Sequence, residues 1–249
     1  MEIRFLGQCG FWFRCDEFDI MIDPVLADMV DNGVSIRNYP PVINPADGSP
    51  TYVLCTHDHI DHLNVDTVKA IAEHSKKTLF VVPKGCVPIL TDIGIEEERI
   101  VPAYDGCSLK LKHGIKLKAF STAHPTHSVD ENGLDHNLGY ALTINGRQYV
   151  HLGDTYRTGR MFKGLTDLGK IDILFSPING RDEERESRGI IGNLSSAQTL
   201  ELALDLKVRL LVPTHFDMVN GNTERIENFT ALAQGRIKYA IPLLMQDIL

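Results

Sequence analysis

The sequence predicts an α/β protein built as a four-layer αββα sandwich. Short strands rich in aromatic and β-branched residues open the chain, strand–helix units follow, and the same order repeats in the second half. A length of 249 residues, with 43% hydrophobic and 23% charged residues, suits one globular domain spanning residues 1–249. No low-complexity stretch or linker divides it.

In order, residues 3–6, 10–14 and 19–22 read as strands punctuated by glycine and an Asp-Pro pair. Residues 31–49, rich in Pro, Asn and Gly, form a loop long enough to wall an active site. A strand over 51–55 precedes a helix that Asn64 caps and whose apolar stripe is Val65, Val68, Ile71 and Ala72. A strand over 79–82, a short helix over 87–92 and a strand near Ile100 complete the first half. The second half opens with paired strands over 108–112 and 115–120 around a His113-Gly114 turn. A hairpin over 138–144 and 148–152 turns at Asn145-Gly146. A strand over 171–175, a helix over 196–206 capped by Ser195, a strand over 210–213 and a helix over 223–233 finish it.

The net charge of −8 argues against nucleic acid as a partner, because phosphate binding requires a basic surface. The five cysteines have irregular spacings and no C-x-x-C pair, which excludes a disulfide framework or a thiolate zinc site and fits a reducing cytoplasm. The first residues read as a strand rather than a signal peptide, and no apolar run reaches membrane-spanning length, so no membrane association is expected.

The densest chemistry is Thr56-His57-Asp58-His59-Ile60-Asp61-His62, at the end of a strand. Three imidazoles and two carboxylates crowded there are costly without partners, and a divalent metal, or two, is the simplest partner. His57 and His59 alternate onto one side, Asp61 continues the alternation, and His62 follows as the chain turns. Three more strand ends offer candidates. One of His124 and His127 completes a three-histidine set with His57 and His59; His124 is nearer its strand, and His136 is a weaker competitor. Asp154, after a glycine, suits a ligand bridging two cations, while His151 alternates away. His215 completes a second set with Asp61 and His62.

The H-x-H-x-D-H motif, a later histidine, the Gly153-Asp154-Thr155 run and the final Pro213-Thr214-His215 resemble the metallo-β-lactamase superfamily across essentially the whole chain. The resemblance implies the αββα sandwich, with His57, His59 and His124 on one metal, Asp61, His62 and His215 on the other, and Asp154 bridging. The NLSSA stretch at 193–197, the helix after it, the PTHFD segment at 213–217 and Gly139-Tyr140 are similar to the L-ascorbate-6-phosphate lactonase branch. That resemblance implies a cytoplasmic homo-oligomer that opens a phosphorylated sugar lactone, with Mn2+ favoured and Zn2+ the alternative.

The expected chemistry is attack of a metal-activated water on a lactone carbonyl, with Asp61 or Asp154 shuttling its proton. Arg181 and Arg188, on the loop over 176–194, are the candidates for a substrate phosphate, and Asn179 and Asn193 for sugar hydroxyls. The main alternative is a phosphodiesterase or nuclease of the same fold, acting on small cyclic phosphodiesters or RNA. A diiron redox protein is disfavoured because that class places Glu where His59 stands and adds a flavin domain. A non-catalytic binding module is disfavoured by the intact ligand set.

Overall fold

The computed structural model describes residues 1–129 and 133–249. Strands β1 (Glu2–Gly7), β2 (Gly10–Arg14) and β3 (Asp19–Ile22) form an antiparallel meander. The next loop carries a small hairpin, β4 (Val30–Asp31) and β5 (Val34–Ser35). Then β6 (Tyr52–Leu54), α1 (Val65–His74), β7 (Leu79–Pro83), α2 (Val87–Asp92) and β8 (Ile100–Ala103) extend the meander in parallel, giving a six-stranded sheet ordered β1-β2-β3-β6-β7-β8.

The second sheet mirrors this plan. Antiparallel β9 (Ser108–Lys110), β10 (Lys116–Ser121), β11 (Leu138–Ile144) and β12 (Arg147–His151) lead through α3 (Gly159–Thr166) to parallel β13 (Ile173–Pro177). A short α4 (Glu183–Ser187) and α5 (Ser196–Asp205) precede β14 (Leu210–Thr214), and α6 (Ile226–Ala233) follows it.

The sheets pack face to face over a shared apolar layer. Phe5, Phe11, Phe13, Tyr52 and Leu54 of the first meet Leu117, Tyr140, Leu142 and Phe175 of the second. Burying each large side chain contributes about 1.5–3 kcal/mol. The outer face of the first sheet packs α1 and α2 through Val68, Ile71 and Leu90, and that of the second packs α3, α5 and α6 through Met161, Leu200 and Phe229. The four layers are α, β, β, α, as the sequence predicts.

Local signals explain most boundaries. Asn64 caps α1 by accepting from Thr67 N, and Ser195 with Gln198 forms a reciprocal capping box at α5. Asn145 and Gly146 both have positive φ, as a two-residue hairpin requires. Several boundaries shift by one to three residues, as where the strand expected over 171–175 runs over Ile173–Pro177, and two of the shifts have a local cause. The strand expected over 108–112 stops at Lys110, because a 3-10 turn over Lys112–Gly114 puts His113 at φ 58°. The last helix starts at Ile226 rather than at 223, because Glu224 N donates to Phe216 O and draws the preceding segment back toward β14. The loop over 176–194, expected to be irregular, contains α4, capped by Asp182.

Candidate metal centre

Every residue of the predicted ligand set lies where a strand ends, on one rim of the sandwich. The chain leaves β6 and turns tightly, with His62 N and Leu63 N both donating to His59 O. His124 follows β10, Asp154 follows β12, and His215, at φ 55°, follows β14 with its N–H bonded to Gln8 O. The rim is sutured across the two sheets. Leu138 N donates to Thr56 O, and the Tyr140 hydroxyl donates to Cys55 O at 2.8 Å. Gly153, at φ 61°, sits so close to Thr56 that a Cβ would lie 2.7 Å from its Oγ1, so only glycine lets Asp154 approach the β6 loop.

Ligand-capable atoms of His57, His59, His124 and Asp154 all fall within 4.8 Å of one another, and so do those of Asp61, His62 and His215. Asp154 stands between the groups. Its Oδ1 is 3.1 Å from His62 Nε2, and its Oδ2 is 3.4 Å from His124 Nε2 and 3.3 Å from His215 Nε2. His124, not His127, lies with His57, His59 and Asp154. His127 is engaged elsewhere, at 2.7 Å from both the Ser121 and Thr158 hydroxyls. His136 lies beside Gly85, and His151 turns into the core, with Nε2 2.8 Å from Cys9 O.

The donor set fits a divalent cation. His57 Nε2, His62 Nε2 and Asp154 Oδ1 are buried and make no hydrogen bond, although buried polar atoms are ordinarily paired. A residue that sequence reasoning missed explains why. Asp23 is buried at the end of β3, and its Oδ2 lies 2.7 Å from His62 Nδ1 and accepts from Thr56 Oγ1 at 2.8 Å. Thr56 Oγ1 in turn lies 3.1 Å from His57 Nδ1. When each ring is neutral, this relay favours its proton on Nδ1, so that Nε2 offers its lone pair to a metal. Gln8 was missed as well. Its amide nitrogen donates to Asp61 Oδ2 at 2.7 Å and lies 2.9 Å from His215 Nε2. Cys9 is a third, its thiol within 4.8 Å of ligand atoms of His62 and Asp154. Only the Asp-Pro turn hinted at any of the three.

Burial and charge divide the imidazoles. Burial pulls His57 well below its ordinary value and His124 down to about 4. Burial acts likewise on His62 and His215, but facing carboxylates, Asp154 foremost, outweigh it, holding His62 well above its ordinary value and His215 at about 9. Burial would raise both carboxyls, yet the imidazoles win. His62 and His215 keep Asp61 low, and His215, His62 and His124 keep Asp154 well below the usual range.

Protein stripped by a chelator has a definite pH signature. His215, raised to about 9 from 6.5, stabilises the fold fully below pH 6.5, and that contribution fades as pH rises through 9. His124, lowered to about 4, stays neutral while the unfolded chain takes up a proton, so stability falls as pH drops from 6.5 toward 4. The melting temperature of stripped protein is expected to peak near pH 6.5. A flat melting profile over this range would contradict the assignment.

A cleft of about 310 Å³ opens over the cluster, lined by His59, Asp61, His124, Asp154 and His215 and, above them, by Ile36, Ile60, Gly189, Ile190, Ile191, Val219 and Asn222. The 31–49 loop does form a wall. Ile36 is pinned to the strand-end segment after His215, its carbonyl accepting from Asn220 N. Arg181, Arg188, Asn179 and Asn193, the expected substrate contacts, are not in the lining. Arg181 pairs with Glu186 at 2.8 Å and stacks on Tyr156, and Arg188 donates to Gly221 O. Asn179 is buried behind Asn222, to which it donates at 3.0 Å, and Asn193 is buried with both amide atoms unpartnered.

Comparison with known proteins gives the family of the chain. A family model described as a Beta-lactamase superfamily domain matches residues 19–216, so the chain belongs to the metallo-β-lactamase superfamily. Its clustered histidines and aspartates are able to hold a divalent cation. The chain is 27% identical over 223 residues to a UPF0173 protein of Pyrococcus abyssi, covering 90% of this chain and 87% of the relative. It is 25% identical over 230 residues to a probable L-ascorbate-6-phosphate lactonase, UlaG, of Salmonella heidelberg, covering 85% of this chain and 63% of that protein's length. Its fold superposes on a metallo hydrolase from Ignicoccus hospitalis with a TM-score of 0.72 at 19% identity, covering 100% of this chain and 96% of that one. Among the described residues, no helix is long and apolar enough to cross a membrane.

Proposed function

We propose that the protein hydrolyses a small lactone or related carboxylic ester. One or two divalent cations would be held by His57, His59 and His124 on one side and by Asp61, His62 and His215 on the other, with Asp154 shared. The observation that carries this reading is the convergence of His57 Nε2, His62 Nε2 and Asp154 Oδ1, none of them hydrogen-bonded, beneath a cleft of small-molecule size. Such cations supply an activated water and polarise the carbonyl that it attacks.

The chain's own groups do the remaining work. Asp61 or Asp154, each kept ionised by the imidazoles around it, would orient the water and accept its proton. Gln8 fixes the Asp61 carboxylate, so that one oxygen is committed to the amide. Mn2+ is the favoured cation and Zn2+ the alternative, since imidazole and carboxylate serve both. Similarity to the Salmonella lactonase supports a lactone carbonyl as the target. L-ascorbate 6-phosphate itself would require Arg181 or Arg188 to leave its present partner and seat the phosphate. Free thiols at all five cysteines fit a cytoplasmic setting.

The test is a substrate panel on stripped protein reloaded with Mn2+ or Zn2+. Turnover of γ-hexanolactone is expected to exceed that of bis(p-nitrophenyl) phosphate by at least about tenfold, or about 1.4 kcal/mol in barrier. The reverse order would replace this reading with a phosphodiesterase.

A further inference from the structure

We propose that the cleft selects an uncharged lactone or ester with a compact aliphatic body, read by one directional contact from Asn222, and rejects phosphorylated substrates. This inference rests on the hydrolase reading above and narrows its substrate class.

Beyond the metal-ligand candidates, the cleft wall is aliphatic: Ile36, Ile60, Ile190, Ile191 and Val219, drawn from separate loops. Among the described residues, no lysine or arginine lines it. The three residues outside the description are Asp130, Glu131 and Asn132, none of them basic. Each arginine of the adjoining loop is already committed. Arg181 pairs with Glu186, Arg185 Nε pairs with Asp182 at 2.5 Å, and Arg188 donates to Gly221 O. With its carbonyl at the metal cluster, a lactone phosphate would have to press its dianion against isoleucines. That desolvates the charge with no lysine or arginine to compensate it. A sugar ring fares little better, since several hydroxyls would meet one polar side chain.

That side chain is Asn222, only 6% exposed. Its Oδ1 accepts from Asn179 Nδ2 at 3.0 Å and from Arg185 Nη1 at 3.1 Å. Two donors therefore hold the carbonyl end from behind, and the Nδ2 amide is the end left for the cleft. A fixed donor above an aliphatic floor suits one acceptor oxygen on an otherwise apolar molecule. Volume agrees, for about 310 Å³ lies at the small end of ligand sites.

The experiment uses the Mn2+- or Zn2+-loaded protein and two probes, γ-hexanolactone and the phosphate ester of γ-(hydroxymethyl)-γ-butyrolactone. Calorimetric binding and kcat/KM are both measured. Wild type is expected to favour γ-hexanolactone by about tenfold or more; parity or the opposite preference overturns the proposal. Asn222→Asp keeps an acceptor for Asn179 and Arg185 but removes the donor. It is expected to raise KM, or the dissociation constant, for γ-hexanolactone about tenfold, with kcat within about twofold. An unchanged value overturns the role of Asn222. Melting temperature and metal content are checked in parallel. Should Asn222→Asp prove unstable, Ile190→Arg decides alone, because a guanidinium in the wall must shift preference toward the phosphorylated probe by about tenfold, and no shift overturns the proposal. Turnover of a phosphodiester but of neither lactone would instead sink the lactone-hydrolase reading. The calorimetric preference would still decide the selectivity of the cleft.

Discussion

Asp154→Asn is expected to abolish most hydrolysis, lowering kcat/KM by roughly 10²–10³-fold or more, and to reduce bound metal at both ligand groups. The side chain keeps its volume, so the loss isolates the charge. Among the described residues, Asp154 is the one carboxylate close to histidines of both groups, at 3.1 Å from His62 and 3.4 Å from His124. Breaking a buried pair by removing one partner costs about 3–5 kcal/mol, and the same energy in a transition state gives the stated rate loss. Metal content by mass spectrometry and steady-state kinetics on γ-hexanolactone measure the two effects. A variant with full metal and activity within about tenfold of wild type would remove Asp154 from the centre.

Asp23→Ala is expected to be the most damaging change outside the ligand set. It strips the His62–Thr56–His57 relay of its carboxylate and leaves the Thr56 N–H and the proton of its hydroxyl without their acceptor. Losses of about 3–5 kcal/mol in stability and about 10–100-fold in metal affinity follow from the buried charge pair and the lost support of a ligand. For a chain of this size each kcal/mol moves the melting temperature by about 2–4 °C, so a drop of roughly 10 °C is expected. Asp23→Asn separates the two losses. Asparagine tolerates the positive φ of 44° at this position and still accepts from Thr56 N, so stability should recover more than metal affinity does. Equal recovery of both would show that Asp23 acts on the fold alone.

The fold, the candidate ligands and the residues that support them are not equally legible from sequence. The sandwich could be read because period-2 apolar runs and caps such as Asn64 and Ser195 act locally. The H-x-H-x-D-H run could be read because its residues are dense. Asp23, Gln8 and Cys9 could not, since each is a lone residue at a strand end and only folding brings it against His62, Asp61 or Asp154. The cleft wall was hidden for a different reason. Ile36, Ile190 and Val219 look like any core residue until three distant loops are seen to leave them facing a cavity. The arginine-rich loop drew attention by its charge, yet that charge is spent within the loop and on its neighbour, as Arg181–Glu186 and Arg185–Asp182 make plain.

The seam between the two sheets has a mechanical consequence. His57, His59, Asp61 and His62 leave the first sheet, while His124, Asp154 and His215 leave the second. Any cation gripped by both sets would act as a rivet through the rim, whereas the opposite rim is joined by apolar packing and by the Lys112 N–H donating to the Tyr52 hydroxyl. Opening the halves like a book would then require ejecting the ion, so loading should slow amide exchange in Leu138 and His215, whose N–H groups cross the seam, more than in the outer helices.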